Sequence, residues 1–459
     1  MFRGIRSAVL SIKESLCNSL GLPFSELLEM PELDELVKCS KIKYYNRIYT
    51  PVVTILAFIA QVLDSDRSCR QAVSRIISRV WLQPAPSPPS QNTAAYCKAR
   101  SRLSVSLIWE LIHWSERRID SQVGAEDLWL GRHRVRVVDG SSSQTPDTEA
   151  HRKEFGLPGN VKSGCGLPVL PFVGVFSLAT GLFQDLQFGK QGGHERHLFR
   201  KLMKSFSPGE VILGDRGFCS FADIFLLKQG FVEFVFRIFN RKPDYQAGQR
   251  LGKYDHLVEW EKPKQCPAGM TPEAFALLPA KLLVREVRIV VEQKGFRSKT
   301  LDIVTTLLDA TFYTKAAIAS LYRRRWSIEL NFRHIKTTLG MELLTTRTPE
   351  MARKEMLIYM LAYNLIRSLI WTAKQIYRID IQRISFKGTV QHLSSISPYL
   401  AIADLSDYSC LYAELIYLVA NEKVPDRPDR IEPRVIKRRP KPFPLMTQPR
   451  SQLKAKLAA

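Results

Sequence analysis

The amino-acid sequence predicts an α/β protein in which helical regions flank a strand-rich middle, and three observations carry that reading. Residues 1–125 show helical apolar periodicity, the period shortens to that of strands from Arg134, and an amphipathic helix over residues 314–339 is followed by further helices. With 459 residues, 45% of them hydrophobic, the chain can bury a sizeable core, enough for roughly two to four domains.

In the first region, apolar helices are expected over residues 49–63, 68–82 and 104–119. The segment Pro84-Ala85-Pro86-Ser87-Pro88-Pro89-Ser90 between the second and third cannot be helical and reads as a polyproline-like connector. Lys98-Ala99-Arg100-Ser101-Arg102 leads into the third helix, either as a contact to DNA phosphates or as a solvated basic loop. The sum is a small helical bundle with room for a helix-turn-helix.

Beyond Arg134, Val135, Val137 and Val138 form a short strand that ends in Asp139-Gly140-Ser141-Ser142-Ser143, with a carboxylate at the mouth of the strand. Residues 171–178 and 182–188 make a hairpin, and a helix follows over 194–206. Strand 211–213 then ends in Gly214-Asp215-Arg216-Gly217-Phe218, a second carboxylate at a strand terminus. Helix 221–229 and strand 232–238 complete a β-β-β-α-β-α-β series. Residues 239–311 are rich in short strands, notably 283–291 and 300–307, and so insert β structure before the helix over 314–339. Helices over 351–377 and 401–419 follow. The tail past Val424 interleaves prolines with Arg427, Arg430, Arg434, Lys437, Arg438, Arg439 and Lys441, an extended basic arm that either follows nucleic acid or stays disordered.

A formal charge of +23 favours a polyanionic partner, nucleic acid before membrane. The apolar stretch 51–63 is too short to span a bilayer, and 357–371 is interrupted by Asn364 and Arg367. Neither end reads as a cleavable secretory signal, so the cytoplasm is the expected location, with association to the nucleoid when DNA is bound. The eight cysteines include no C-x2-C pair, which points away from a zinc ribbon or disulfide framework and toward a reducing compartment. His194 and His197 are spaced to share a helical face, but a helix start is favoured over a metal site because no further His or Cys lies nearby.

The most specific feature is Tyr322-Arg323-Arg324-Arg325-Trp326-Ser327-Ile328-Glu329, running on to Lys336 as Y-x2-R-x3-E-x6-K. At about 100° per residue, Tyr322, Arg325, Glu329 and Lys336 fall within about 60° of one another, beside an apolar stripe of Leu321, Ile328, Phe332, Ile335 and Leu339. Mixed charge on an amphipathic helix is usually a solvated face. Four specified residues at fixed spacing arise by chance only on the order of a few times per thousand chains of this length. Asp139, Asp215 and Glu329 are therefore the candidate catalytic and metal-holding set. Three carboxylates suit two hard divalent ions, Mg²⁺ with Mn²⁺ able to substitute, which activate the attacking oxygen and stabilise the leaving oxygen in phosphoryl transfer.

The order Asp139, Asp215, Glu329, with Tyr322, Arg325 and Lys336, resembles the insertion-sequence-four family of DDE transposases. Val138-Asp139-Gly140-Ser141, Thr145-Pro146-Asp147-Thr148, Gly214-Asp215-Arg216-Gly217-Phe218 and the tail words Arg427-Pro428-Asp429-Arg430 and Lys437-Arg438-Arg439-Pro440-Lys441 add to the resemblance, which covers about residues 90–445. It implies a ribonuclease-H-like catalytic core with a β-rich insertion, plus an N-terminal helical domain and C-terminal helices. The expected divisions are 1–125 (DNA-binding helices), 126–239 (first part of the core), 240–311 (insertion), 312–345 (catalytic helix), 346–424 (helical) and 425–459 (basic tail). It also implies cut-and-paste transposition through a hairpin, acting on terminal inverted repeats and target DNA as a synaptic homodimer. Tyr322, Arg325, Trp326, Arg333 and Lys336 are then the expected DNA-binding residues: Arg325 and Lys336 on phosphates, Tyr322 in support, and Trp326 as a base-stacking or a core aromatic. The resemblance further implies a base-capturing Trp on the strand before the signature helix. The corresponding stretch here, Leu301-Asp302-Ile303-Val304-Thr305, has none, leaving Trp260 or Phe296 as substitutes. Two other readings remain open: a structure-specific ribonuclease-H-like nuclease, and a catalytically silent DNA-binding protein derived from a transposase.

Overall fold

A computed structural model describes residues 22–24, 30–44, 47–80, 90–159, 165–267, 269–290, 300–425 and 446–458. The chain divides into two compact units, one of residues 1–122 and 333–426, the other of residues 123–332 and 427–459. The expected connector at 84–90 except its last residue, Phe296 and most of the basic tail lie outside the described residues.

The first unit is helical and is built around Pro349–Tyr377, a 29-residue helix packed against Pro51–Leu63, Val105–Asp120, Phe386–Leu400 and Leu405–Asn421. This helix is long and apolar enough to cross a membrane, yet 94% of its most apolar window is buried inside the protein. Two of its buried charged residues find partners within the unit: Lys354 Nζ donates to the Ser101 carbonyl (2.8 Å), and Glu355 accepts from the amides of Thr345 and Thr346. Thr50-Pro51 and Thr348-Pro349 start their helices by one device, the threonine hydroxyl capping an amide three residues on while proline occupies the first helical position, where no amide is needed. Two helices depart from the sequence expectation. The basic segment 98–102 is not a loop but the end of helix Ala94–Arg102, and Phe386–Leu400 forms despite Pro398 and Gly388.

The second unit is a nine-stranded mixed sheet. Its strands are β1 (Val135–Gln144), β2 (Val169–Ser177), β3 (Phe183–Phe188), β4 (Val211–Gly214), β5 (Glu233–Arg237), β6 (Gln249–Gly252), β7 (Asp255–Glu261), β8 (Lys281–Val290) and β9 (Thr300–Thr305). They lie in the order β3-β2-β1-β4-β5-β9-β8-β7-β6. β1, β4 and β5 are parallel, and every other pairing is antiparallel. The strands between residues 239 and 311 therefore extend the central sheet through the β5–β9 pairing. Arg285, fully buried on β8, holds this extension by a two-point ion pair to Asp255 (2.8 and 2.6 Å) and a bond to the Tyr313 carbonyl (2.7 Å).

Helices cover both faces of the sheet. On one, Leu198, Phe199 and Leu202 of helix Glu195–Leu202 and Ile224 and Leu227 of helix Phe221–Gln229 pack with Val138, Ile212, Phe234 and Phe236. On the other, Phe332 meets Phe172 and Phe176 of β2 edge-on, at ring separations of 5.6 and 5.1 Å. The helix expected over 314–339 is broken. Lys315–Arg323 passes through a 3₁₀ turn at Arg324–Trp326 into Ser327–Arg333, and a π turn follows at His334–Thr338.

Candidate active site

β1 places the first carboxylate, and its length corrects the sequence expectation. Asp139 is not at the end of the strand; β1 continues to Gln144 because β2 pairs with it from Arg136 to Gln144. β4 pairs with it only from Val135 to Val137, so Asp139 lies where β1 loses one neighbour and keeps the other. That half-open edge serves as a strand mouth inside a continuous strand. In the parallel register Val137 pairs with Leu213, the last pair of the two strands, and Asp139 and Asp215 each follow two residues later. The two carboxylates are near enough for the charge of Asp215 to act on Asp139. Asp215 keeps an extended backbone past the end of β4 (φ −84°, ψ −175°) and accepts the Gly217 amide on Oδ1 at 2.6 Å.

Glu329 comes from helix Ser327–Arg333, and its side chain is 55% exposed. Arg325 links it to the sheet: Nη2 donates to Glu329 Oε1 (3.1 Å), while Nη1 lies 3.8 Å from Asp139 Oδ2. Arg325 is itself buried and stacks on Trp326 at 5.1 Å, and Tyr322 packs edge-on against the same indole. Tyr322 is only 2% exposed, so it acts as a support behind Arg325 and not as a surface contact. Arg333 and Lys336 fall in the helical unit, Arg333 exposed and Lys336 half-buried.

Burial pushes the Asp139 carboxyl up to about 6. Arg325 and the Gly140 amide oppose that rise, and the charges of Asp215 and Glu195 add to it. Among the described residues, no three His, Cys, Asp or Glu side chains stand close enough to enclose a metal ion unaided. Asp139 and Asp215 are brought together, whereas Glu329 is reached through Arg325. The donor set is nonetheless all carboxylate oxygen, the chemistry that a hard divalent cation takes.

Glu195 shares the neighbourhood and was legible in the sequence only as a helix start. His194 does precede helix Glu195–Leu202 at its N-cap. Glu195 is exposed, yet partial desolvation of its carboxyl, then the charge of Asp215, holds it above the usual carboxylate range. Beside it Arg196 Nε donates to the Gly217 carbonyl (2.7 Å), and Arg196 and Arg216 lie 5.7 and 5.9 Å from the exposed ring of Phe239. Trp260, by contrast, is 7% exposed and donates Nε1 to Glu286 (2.7 Å), which makes it a core residue of the extension and rules it out as a base-capturing ring.

The model of the Transposase DDE domain family matches residues 130–365, just over half of the chain and all of the elements that carry Asp139, Asp215 and Glu329. The chain belongs to that family. Among its relatives is the InsG transposase of insertion sequence element IS4 from Escherichia coli K12, 25% identical over 382 residues that span 82% of this chain and 83% of that protein. The putative InsL transposase of element IS186A from the same strain is 32% identical over 106 residues, 21% of this chain and 29% of its own length. A cryo-EM structure of the piggyBac transposase synaptic complex with hairpin DNA aligns over 90% of this chain and 88% of its own, at 13% identity and a TM-score of 0.40. That likeness is too distant to place residues. The protein is thus a DDE transposase of the IS4 type, an enzyme that cleaves DNA and transfers its strands, and the family works with divalent metal ions.

Proposed function

We propose that Asp139, Asp215 and Glu329 are the catalytic carboxylates of a ribonuclease-H-like core. They would hold two Mg²⁺ ions, replaceable by Mn²⁺, for cleavage at the terminal inverted repeats of an element and transfer of the cut strand into target DNA. The observation that supports this reading is that Asp139 and Asp215 follow the last pair of β1 and β4 and interact through their charges, with Arg325 between Asp139 and Glu329. Bound divalent ions supply an activated oxygen nucleophile and charge stabilisation at the leaving oxygen. The chain's own part is to fix where that happens. Asp139 and Asp215 are held by sheet register, Arg325 neutralises Asp139 and Glu329 until cations and DNA arrive, and Trp326 and Tyr322 hold Arg325 in place. On DNA binding, Arg325, Arg333 and Lys336 pair with phosphates and Trp326 becomes a stacking surface.

In the same reading residues 126–239 and 312–345 form the core, 240–311 is the insertion, 1–125 binds element ends, 346–424 is a helical region and 425–459 a basic arm. The transposase pairs two ends as a homodimer, passes through a hairpin intermediate, and works in the cytoplasm on nucleoid DNA. The test is nicking of a duplex carrying the element's terminal repeat. D139N, D215N and E329Q are each expected to abolish Mg²⁺-dependent nicking while duplex binding is retained. Full nicking by any one of them removes that residue from the set.

A further inference from the structure

The β6–β7 hairpin turns on Lys253 and Tyr254, since Gly252 pairs with Asp255. Tyr254 takes the left-handed conformation there (φ +58°), which suits Gly, Asn or Asp better than a residue bearing a ring. Turn chemistry therefore does not ask for a tyrosine, and the ring is left 45% exposed at the hairpin tip. A residue that breaks the local rule at an exposed position points to a function.

Three cations surround that ring. The Arg288 guanidinium lies 5.3 Å from its centroid, and the Nζ atoms of Lys253 and Lys315 each lie 5.9 Å away. Arg288 is neutralised by Asp302 (2.7 and 3.2 Å), and Tyr245, edge-on to Tyr254 at 5.6 Å, donates to the same carboxylate. The lysines have no such neutralisation: neither forms an ion pair among the described residues, and Lys315 Nζ donates to the Lys253 carbonyl (2.7 Å). Burial holds the Lys315 amine below the usual lysine range; Asp255 opposes that shift, and the charges of Lys253, Arg285 and Arg288 add to it. Like charges gathered on an exposed ring repel one another until an anion lies between them. Lysines interleaved with an exposed aromatic suit a nucleic-acid strand, which offers phosphates and a flat nucleotide together.

Lys315 also opens helix Lys315–Arg323, which leads on to Arg325 and Glu329. Fourteen residues separate Lys315 from Glu329. At 1.5 Å per helical residue that is about 20 Å, the length of about six base pairs. We propose that the β6–β7 turn is a second DNA contact, sequence-neutral and about six base pairs from the cleaved phosphate. Lys253 and Lys315 each take a backbone phosphate, and Tyr254 packs its ring on the nucleotide between them. The distance rests on Glu329 belonging to the active site; the contact rests only on DNA being the substrate.

The test is equilibrium binding of the full-length protein to a terminal-repeat duplex carried through the cleavage point into flanking sequence, with salt varied from about 50 to 200 mM. K253Q/K315Q should make the slope of log K against log salt shallower by about 1.8, two phosphates at about 0.9 each, and K253Q alone by about half of that. Y254N keeps a residue that accepts the left-handed turn and removes the ring, so the melting temperature should hold or rise while affinity falls about fivefold or more. Both losses should be the same on a duplex of unrelated sequence. A tyrosine that only stabilises the hairpin would give the reverse in Y254N, a lower melting temperature at unchanged affinity, and overturns the proposal. So does a wild-type salt slope in the lysine variants, or a loss confined to the repeat sequence. Wild-type nicking by E329Q would remove Glu329 and the six-base-pair distance, while a shallower slope in K253Q/K315Q would still establish the contact.

Discussion

The two aspartates and Glu329 are held by different kinds of structure. Asp139 on β1 and Asp215 just past the end of β4 follow the paired, buried residues Val137 and Leu213 of two parallel strands. Glu329 projects from a seven-residue helix with a 3₁₀ turn before it and a π turn after it, more than half exposed and restrained chiefly by Arg325. The sheet thus supplies a preformed pair, and the signature helix an adjustable member. A strand cannot slip by one residue without turning its side chains to the other face, whereas a short helix between irregular turns can shift by fractions of a turn.

The sharpest way to break this comparison is to change reach without changing charge. D139E and D215E each move a carboxylate outward by more than about 1 Å from a fixed backbone, and a displacement of that size costs on the order of 10²-fold in rate. E329D retracts the carboxylate on a helix that can follow it, and is expected to lose only about tenfold. Single-turnover nicking of an end duplex measures all three. Equal losses would mean that Glu329 is as rigidly set as the aspartates.

The next effect is on stability. Phe332 fixes the adjustable helix to the sheet through Phe172 and Phe176, and its ring stands 3.2 Å from where a Cβ on Gly174 would be, which explains a glycine opposite Asp139. F332A should cost about 3–5 kcal/mol, the usual range for emptying a buried aromatic site. Denaturant unfolding measures that cost, and a loss below about 1 kcal/mol would show that the helix is held elsewhere. The variant should lose nicking through Glu329 while keeping the Asp139–Asp215 pair.

How much of this was legible in the sequence follows from how local each signal is. Asp215 and helix Phe221–Gln229 were readable because strand, turn, the Ser220 cap and the apolar run all lie within twenty residues. The end of β1 was misread: the Gly-Ser run looks like a turn, and only its remote partner β2 keeps it extended. The breaks around Glu329 were invisible because the apolar stripe keeps helical spacing across the 3₁₀ turn. Ala94–Arg102 was hidden for the opposite reason, its charges drawing attention away from good helix formers. Glu195 was readable only as a helix start, since its nearness to Asp215 is a contact between residues twenty apart that no local pattern records.

The smallest effect is a pH dependence that belongs to the preformed pair. With Asp139 at about 6, against an unfolded carboxyl near 3.9, the folded protein binds more protons than the unfolded chain between those values. Stability without metal therefore falls as pH rises through this window and stays lower above it, by about 3 kcal/mol from this group. Glu195, raised as well, acts in the same direction. A divalent cation competes with the proton, so stabilisation by Mn²⁺ should be small at pH 5 and grow as pH passes 6. Arg325 is the chief group holding the Asp139 carboxyl down, and R325Q should shift this rise to higher pH. Melting temperatures with and without Mn²⁺ between pH 5 and 8 follow the effect. A Mn²⁺ shift that is flat across pH, or the same in R325Q, would mean that Asp139 is already ionised by other means and that the preformed pair costs the fold nothing.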